Sequence, residues 1–282
     1  MIVVPGNAQI LGKRKSQQDA FAFSDLSNTD HSQKVGVLAV LADGMGGLEF
    51  GFEASHTAVK TIGDVYLNEV FERSIDEALD HALQNADDMV SKLAIEKDQS
   101  GNVGTTVVLA VIHDGFLYWR SVGDSRLYLF RGYGLYPMTR DHDYGEILDD
   151  QAEDGLITSE RAALDPERRA LTSFIGQASF QEVDKSYHPL KLRECDRIML
   201  CSDGVYNTLS QQELMGVLRQ IENPHEACEA MVDLIERKDH PYQDNATMMI
   251  LDMVSSQREV TVKKRRRKSK IGRFLRKIMR IS

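Results

Sequence analysis

Cysteine is scarce in this chain: three in 282 residues, at positions 195, 201 and 228, with no CxxC pair among them. An odd number at wide spacing excludes a disulfide framework and argues against a thiolate zinc site, so a reducing, cytoplasmic setting is the expectation. Long hydrophobic runs are missing too. The longest uncharged stretch, residues 99–113, contains Gly101, Asn102, Gly104, Thr105 and Thr106 and is too short to span a bilayer. The first ten residues lack a basic segment and carry Pro5, so no secretory signal is expected there. There is no Gly-x-Ser-x-Gly elbow, and the glycines of 44–51 lack a Gly-Lys-Ser/Thr ending, which sets aside serine-hydrolase and Walker-type chemistry. Histidines 31, 56, 81, 113, 188, 225 and 240 are scattered without i, i+4 partners and read as surface or core filler.

Against these absences stand 42% hydrophobic residues, 43 acidic and 34 basic side chains. That is the mix of a soluble globular chain, long enough to bury a core without staples. The net charge of -9 is unevenly spread: residues 263–282 hold eleven Lys and Arg and no acid, leaving twenty-three basic against forty-three acidic side chains in the preceding body. Such a body repels nucleic acid and attracts divalent cations, whereas the tail does the reverse.

Apolar, β-branched runs bounded by turn residues predict strands over 35–42, 105–112, 116–122, 127–130, 197–201 and 247–254. The short connections at 113–115 and 131–134 read as hairpins, which makes the sheet antiparallel. Ser74 and Glu77 form a candidate capping box before a helix whose apolar face runs from Ala78 to Leu93. Further helices are expected over about 53–67 and 211–221. Strands covered by helices indicate a layered α/β sandwich. Residues 1–258 read as one domain with a polar insertion at about 143–168, followed by a tail at 259–282.

The informative pattern is where the aspartates fall. Asp43-Gly44 and Asp203-Gly204 each end a strand, Asp124 follows Gly123 at a third, Asp19 follows Arg14 in the N-terminal segment, and Asp244 precedes the last strand. Any one of these is ordinary turn chemistry, as Asp114-Gly115 is. Together they repel one another unless cations neutralise them, and an all-oxygen set selects Mg²⁺ or Mn²⁺. Gly44 lets a backbone carbonyl approach such an ion. Two ions sharing a water would acidify it for phosphoester hydrolysis, and the planar fork of Arg14 suits a phosphate.

Seven segments in order, GKRKSQQDAF (12–21), VLADGMGG (40–47), GTTVV (104–108), SVGDSRLYLF (121–130), LTSFIG (171–176), LCSDGVYNTLS (200–210) and DNATMMIL (244–251), resemble the metal-dependent protein phosphatases. This is the protein phosphatase 2C family, and the likeness is to its bacterial serine/threonine branch. The resemblance implies an α-β-β-α sandwich of two antiparallel sheets. It implies a Mn²⁺- or Mg²⁺-dependent enzyme that hydrolyses phosphoserine and phosphothreonine by direct attack of a metal-bridging hydroxide. Asp43 resembles the aspartate bridging two metals, with the Gly44 carbonyl on the second and Asp203 and Asp244 on the first. Asp124 and Asp203 resemble the holders of a third ion. Arg14 matches the phosphate-binding arginine, Asp19 and Gln18 the residues supporting the metals, and Thr106 a supporting threonine. Phosphorylated proteins and a cognate Ser/Thr kinase are the implied partners, and a monomer the expected state.

Three departures stand out. Gln18 places an amide where the family commonly has a carboxylate; the amide can still hydrogen-bond a metal-bound water, but the second metal should be bound less strongly. Met45 occupies the place of a histidine in animal members, and a thioether cannot donate a proton to the leaving alcohol. The insertion at 143–168 resembles the flap of bacterial members but is unusually acidic, and His142 sits at its start. Gln18 and Met45 also keep alive a second reading, a catalytically silent member that binds phosphoproteins or senses metal. The tail combines its basic run with Ile271, Phe274, Leu275, Ile278 and Met279 at helical spacing. It reads as an anchor for an anionic membrane surface, on the inner face of the membrane, or for an acidic protein partner; nucleic acid is disfavoured because the apolar stripe has no use there. A third reading is an adaptor whose body only presents this tail.

Overall fold

A strand buried on both faces reads as an unbroken apolar run, and β3 (Val37–Met45) shows why. Its residues Val37, Ala39 and Leu41 face one core and Leu38, Val40 and Ala42 another. The computed structural model describes residues 1–25, 34–45, 50–99, 101–180 and 182–255; the tail at 259–282, the last residues of the 1–258 division, and Gly46 and Gly47 lie outside them.

Two antiparallel sheets stack face to face. The first has five strands in the order β1 (Ile2–Ile10), β12 (Ala246–Val254), β11 (Arg197–Cys201), β7 (Arg126–Arg131), β8 (Gly134–Pro137). The second has the path β10 (Leu190–Lys191), β6 (Phe116–Val122), β5 (Val107–His113), β3, β2 (Asp19–Phe23), with β4 (Gly104–Thr105) on β3 and β9 (Asp184–Lys185) on β6. Leu41, Val108 and Leu117 meet Leu129, Ile198, Leu200 and Leu251 between the sheets. Helices α1 (Phe50–Glu69) and α2 (Ile75–Glu96) seal the outer face of the second sheet, through Ala54, Ala58, Ile62, Leu79 and Leu83. The outer face of the first is sealed by α6 (Gln211–Gln220) and α7 (Pro224–Lys238), through Leu214, Leu218, Cys228 and Met231. The architecture is the α-β-β-α sandwich expected from the sequence. Met248 faces the helices and Met249 the inter-sheet core, so this pair fills the core.

The Ser74–Glu77 capping box is present, with both reciprocal bonds. The predicted strand over 105–112 is broken at Thr106, whose hydroxyl and N–H are turned to Asp43 instead of a ladder. Val35 falls outside β3, and its carbonyl accepts a bond from the buried Tyr66 hydroxyl. The insertion forms two short helices, α3 (Tyr144–Glu153) and α4 (Ser159–Leu164), each opened by a side-chain cap from Asp143 and Thr158. Remaining is α5 (Asp203–Tyr206), a single turn that follows β11.

Candidate functional site

Strand register brings the five aspartates to one end of the sandwich. Asp19 opens β2 directly opposite Asp43 on β3, Asp203 opens α5 at the end of β11, and Asp244 precedes β12. Asp124 lies in residues 123–125, where the chain passes from the second sheet to the first. Like charges facing each other across a sheet are unfavourable, so the Asp19–Asp43 pair works against folding unless something neutralises it.

The carboxylates report that conflict. Burial, then the charges of Asp19, Asp203, Asp124 and Asp244, drive the Asp43 pKa well above the ordinary carboxylate range. Asp203 is pushed up to about 7 by burial and by Asp124, Asp244 and Asp19, with Arg169 opposing. Burial raises Asp124 to about 6, helped by Asp141 and opposed by a hydrogen bond from Tyr206. Asp19 also stands at about 6, raised by burial and held back by two hydroxyl donors. These are Ser202 Oγ at 2.8 Å and Thr247 Oγ1 at 2.6 Å, both donating to Oδ2. Asp19 Oδ1 and Asp203 Oδ1 are buried without a hydrogen-bond partner.

The backbone is pinned around this cluster. The Asp43 N–H donates to Thr106 Oγ1 at 3.0 Å, while its carbonyl accepts from Thr106 N at 2.8 Å and Thr105 Oγ1 at 2.9 Å. Thr106 Oγ1 also meets Ser125 Oγ at 2.8 Å, so this side chain joins the Asp43 strand to the Asp124 turn. Gly44 N donates to Gln18 O at 3.1 Å, and a Cβ at Gly44 would lie 1.9 Å from Gly51 O, so only glycine fits. Asn245 accepts from Gln18 N at 2.8 Å and donates to Leu11 O at 2.9 Å, tying the N-terminal loop to the Asp244 loop. The Gln18 amide packs on Gly51.

Arg14 lies at the rim of the cluster. Its Nη2 pairs with Asp244 Oδ2 at 2.5 Å, with the arginine side chain 54% exposed at the rim. Among the described residues no three Asp, Glu, His or Cys side chains close on a single point. The donor set is nonetheless all oxygen, carries several mutually raised carboxyls and leaves two buried oxygens unpartnered. Those properties fit hard divalent cations and no softer metal.

His142 has a structural task. Gly123 N donates to its Nδ1 at 3.1 Å, and His142 N donates to Gly123 O at 3.0 Å. With Nδ1 accepting, the ring proton sits on Nε2, and burial lowers the imidazole pKa. A cavity of about 180 Å³ beside Asp124 and Asp203 is also lined by Asp143, Arg168 and Arg169 of the insertion. Ser202 and Tyr206, in the 200–210 segment, and Thr247, in the 244–251 segment, bond the aspartates directly, with nothing local in the sequence to mark those bonds. Their partners lie far along the chain.

Similarity to known proteins agrees with this arrangement. A family model described as protein phosphatase 2C matches residues 10–237. A putative protein phosphatase 2C-type of Streptococcus pyogenes is 29% identical over 226 residues, covering 79% of this chain and 87% of its own. The solved serine/threonine phosphatase of S. agalactiae superimposes with a TM-score of 0.77 at 26% identity, over 90% of this chain and 100% of that one. The catalytic domain of the serine/threonine phosphatase PstP, solved with two manganese ions, does so with a TM-score of 0.70 at 25% identity, over 90% and 99%.

Proposed function

The chain belongs to the protein phosphatase 2C family and is a metal-dependent serine/threonine phosphatase; from that premise we propose that its five-aspartate cluster hydrolyses phosphoserine and phosphothreonine in proteins by direct attack of water on phosphorus, with no phosphoenzyme. Asp43, the Gly44 carbonyl, Asp203 and Asp244 would hold two Mn²⁺ or Mg²⁺ ions, and Asp124 with Asp203 a third. When bound, the ions supply charge neutralisation and acidify the attacking water. Arg14 leaves Asp244 and grips two phosphate oxygens, fixing the phosphorus for in-line attack. Asp19, Gln18 and Thr106 hold the cluster in place. Met45 offers no proton, so the leaving alcohol is protonated from solvent.

The observation that carries this reading is the set of buried carboxylates that raise one another's pKa while two of their oxygens lack partners. A silent binding module has no use for such accumulated repulsion. The test is Mn²⁺-dependent turnover of an aryl phosphate and a phosphothreonine peptide, with EDTA and Asp43→Asn as controls. Undiminished turnover in either control refutes the mechanism, and phosphopeptide binding without turnover at saturating Mn²⁺ favours the silent module.

The proposed phosphatase domain is residues 1–258, with residues 259–282 a separate tail that docks on anionic lipid in the cytoplasm. No helix among the described residues is long and apolar enough to cross a membrane. β12 begins beside the site and ends at Val254, paired with Ile2 at the opposite pole. Nine residues at about 3.4 Å each put the chain's exit roughly 30 Å from the aspartates. Docking through the tail therefore leaves the site open to phosphorylated proteins and their kinase. Deleting 263–282 should abolish sedimentation with phosphatidylserine vesicles and leave peptide turnover intact; retained sedimentation refutes the role.

A further inference from the structure

Asp124 is held by a residue three positions beyond Asp203. The Tyr206 hydroxyl lies 3.2 Å from Asp124 Oδ2 and 3.0 Å from the Asp124 carbonyl, and donates its single proton between them. The ring is held in turn. The Arg126 guanidinium stacks over it, Cζ 3.6 Å from the centroid, a cation–π contact that also fixes the ring plane.

Arg126 is itself locked. Its Nε and Nη2 reach the two oxygens of Asp141 at 2.9 and 2.6 Å, and its Nη1 meets the Tyr128 hydroxyl at 3.2 Å. Asp141 is 8% exposed, and its fork-to-fork pairing fixes the guanidinium plane. The chain of contacts runs Asp141, Arg126, Tyr206, Asp124, and ends on a carboxylate that faces Asp203.

We propose that Tyr206 is a positioning residue for Asp124: by engaging Oδ2 it fixes the carboxylate's rotamer and leaves Oδ1 as the oxygen presented to a cation shared with Asp203. The inference rests on the reading of the cluster as a divalent-cation centre. It goes beyond that reading in naming a tyrosine, and the arginine behind it, as what sets the strength of the Asp124 side. A donor to the outer oxygen keeps the inner one aimed, and outer contacts of this kind typically alter ion affinity by about 10- to 100-fold. Tyr206→Phe keeps the ring under Arg126 and removes only the hydroxyl.

The experiment is a Mn²⁺ binding isotherm on the full chain, read by the electron paramagnetic resonance of free Mn²⁺, for wild type, Tyr206→Phe, Asp124→Asn and the double variant. In Tyr206→Phe the Mn²⁺ step that Asp124→Asn removes should lose about tenfold in affinity while the other steps stay in place. In the Asp124→Asn background the same substitution should have no further effect, because the two side chains act as one unit. A Tyr206→Phe isotherm that overlays wild type overturns the proposal, and so does an equal loss in the Asp124→Asn background. Wild-type protein that takes up no Mn²⁺ overturns the cation centre and the tyrosine's role together, so the two failures are told apart. Loss of all steps in Tyr206→Phe, with an unchanged melting temperature, also contradicts it.

Discussion

Stripping the protein of divalent cations should invert the usual dependence of its stability on pH. A carboxyl whose folded pKa lies above its unfolded value holds its proton more tightly in the fold, so folding is favoured at low pH and that advantage is lost as pH rises through the folded pKa. For Asp203 the folded value is about 7 against an ordinary 3.8. Between pH 5 and pH 8 this one group withdraws about 3 kcal/mol. Asp19 and Asp124, at about 6, act in the same direction, although their shares do not add because each repels the same neighbours. At about 2–4 °C per kcal/mol for a domain of this size, Asp203 alone lowers the melting temperature by about 5–10 °C over that interval. The assay is thermal melting in EDTA at pH 5, 6, 7 and 8, repeated with Mn²⁺. The Mn²⁺ increment should be larger at pH 8 than at pH 5, where protons compete for the same oxygens, and Asp203→Asn should flatten the EDTA profile. A melting temperature in EDTA that climbs from pH 5 to pH 8, or a Mn²⁺ increment independent of pH, defeats the reasoning.

Other outcomes follow from single contacts. Arg14→Ala should raise KM for phosphopeptide by about tenfold or more, the loss of a charge-assisted grip worth about 1.5–3 kcal/mol; an unchanged KM assigns the phosphate contact elsewhere. Gly204→Ala would set a Cβ 1.9 Å from Asn245 O, and the strain of about 1–3 kcal/mol should appear as a lower urea midpoint. Arg120 is 1% exposed and its charge is met by Asp76 and Asp80, each nearly half exposed. Asp76→Ala/Asp80→Ala strands the buried cation and should destabilise by about 3–5 kcal/mol in urea melts, and Arg120→Met by less.

Much of the fold was legible because burial leaves marks in one dimension. β3, β5, β11 and β12 are apolar on both faces, and α2 carries its cap and stripe within twenty-five residues. The edge strand β1 escaped notice: Pro5, Gly6, Asn7 and Gln9 interrupt its pattern, yet an edge position tolerates them. α7 was missed as well, although Asn223 caps it and Pro224 stands in its first turn. The aspartates could be read because each sits at a strand end. Their supports could not, since Ser202 and Thr247 reach Asp19 from 183 and 228 positions away. Nor does the sequence show that Arg14 rests on Asp244, a contact that depends on loops meeting in space.

The paired bonds between His142 and Gly123 have a mechanical meaning. Both polar groups of that peptide are spent on the residue immediately before the two-helix lobe begins. The lobe's root and the turn bearing Asp124 are therefore one rigid bracket. Whatever displaces residues 123–125 or the start of the two-helix lobe therefore disturbs the support of the other.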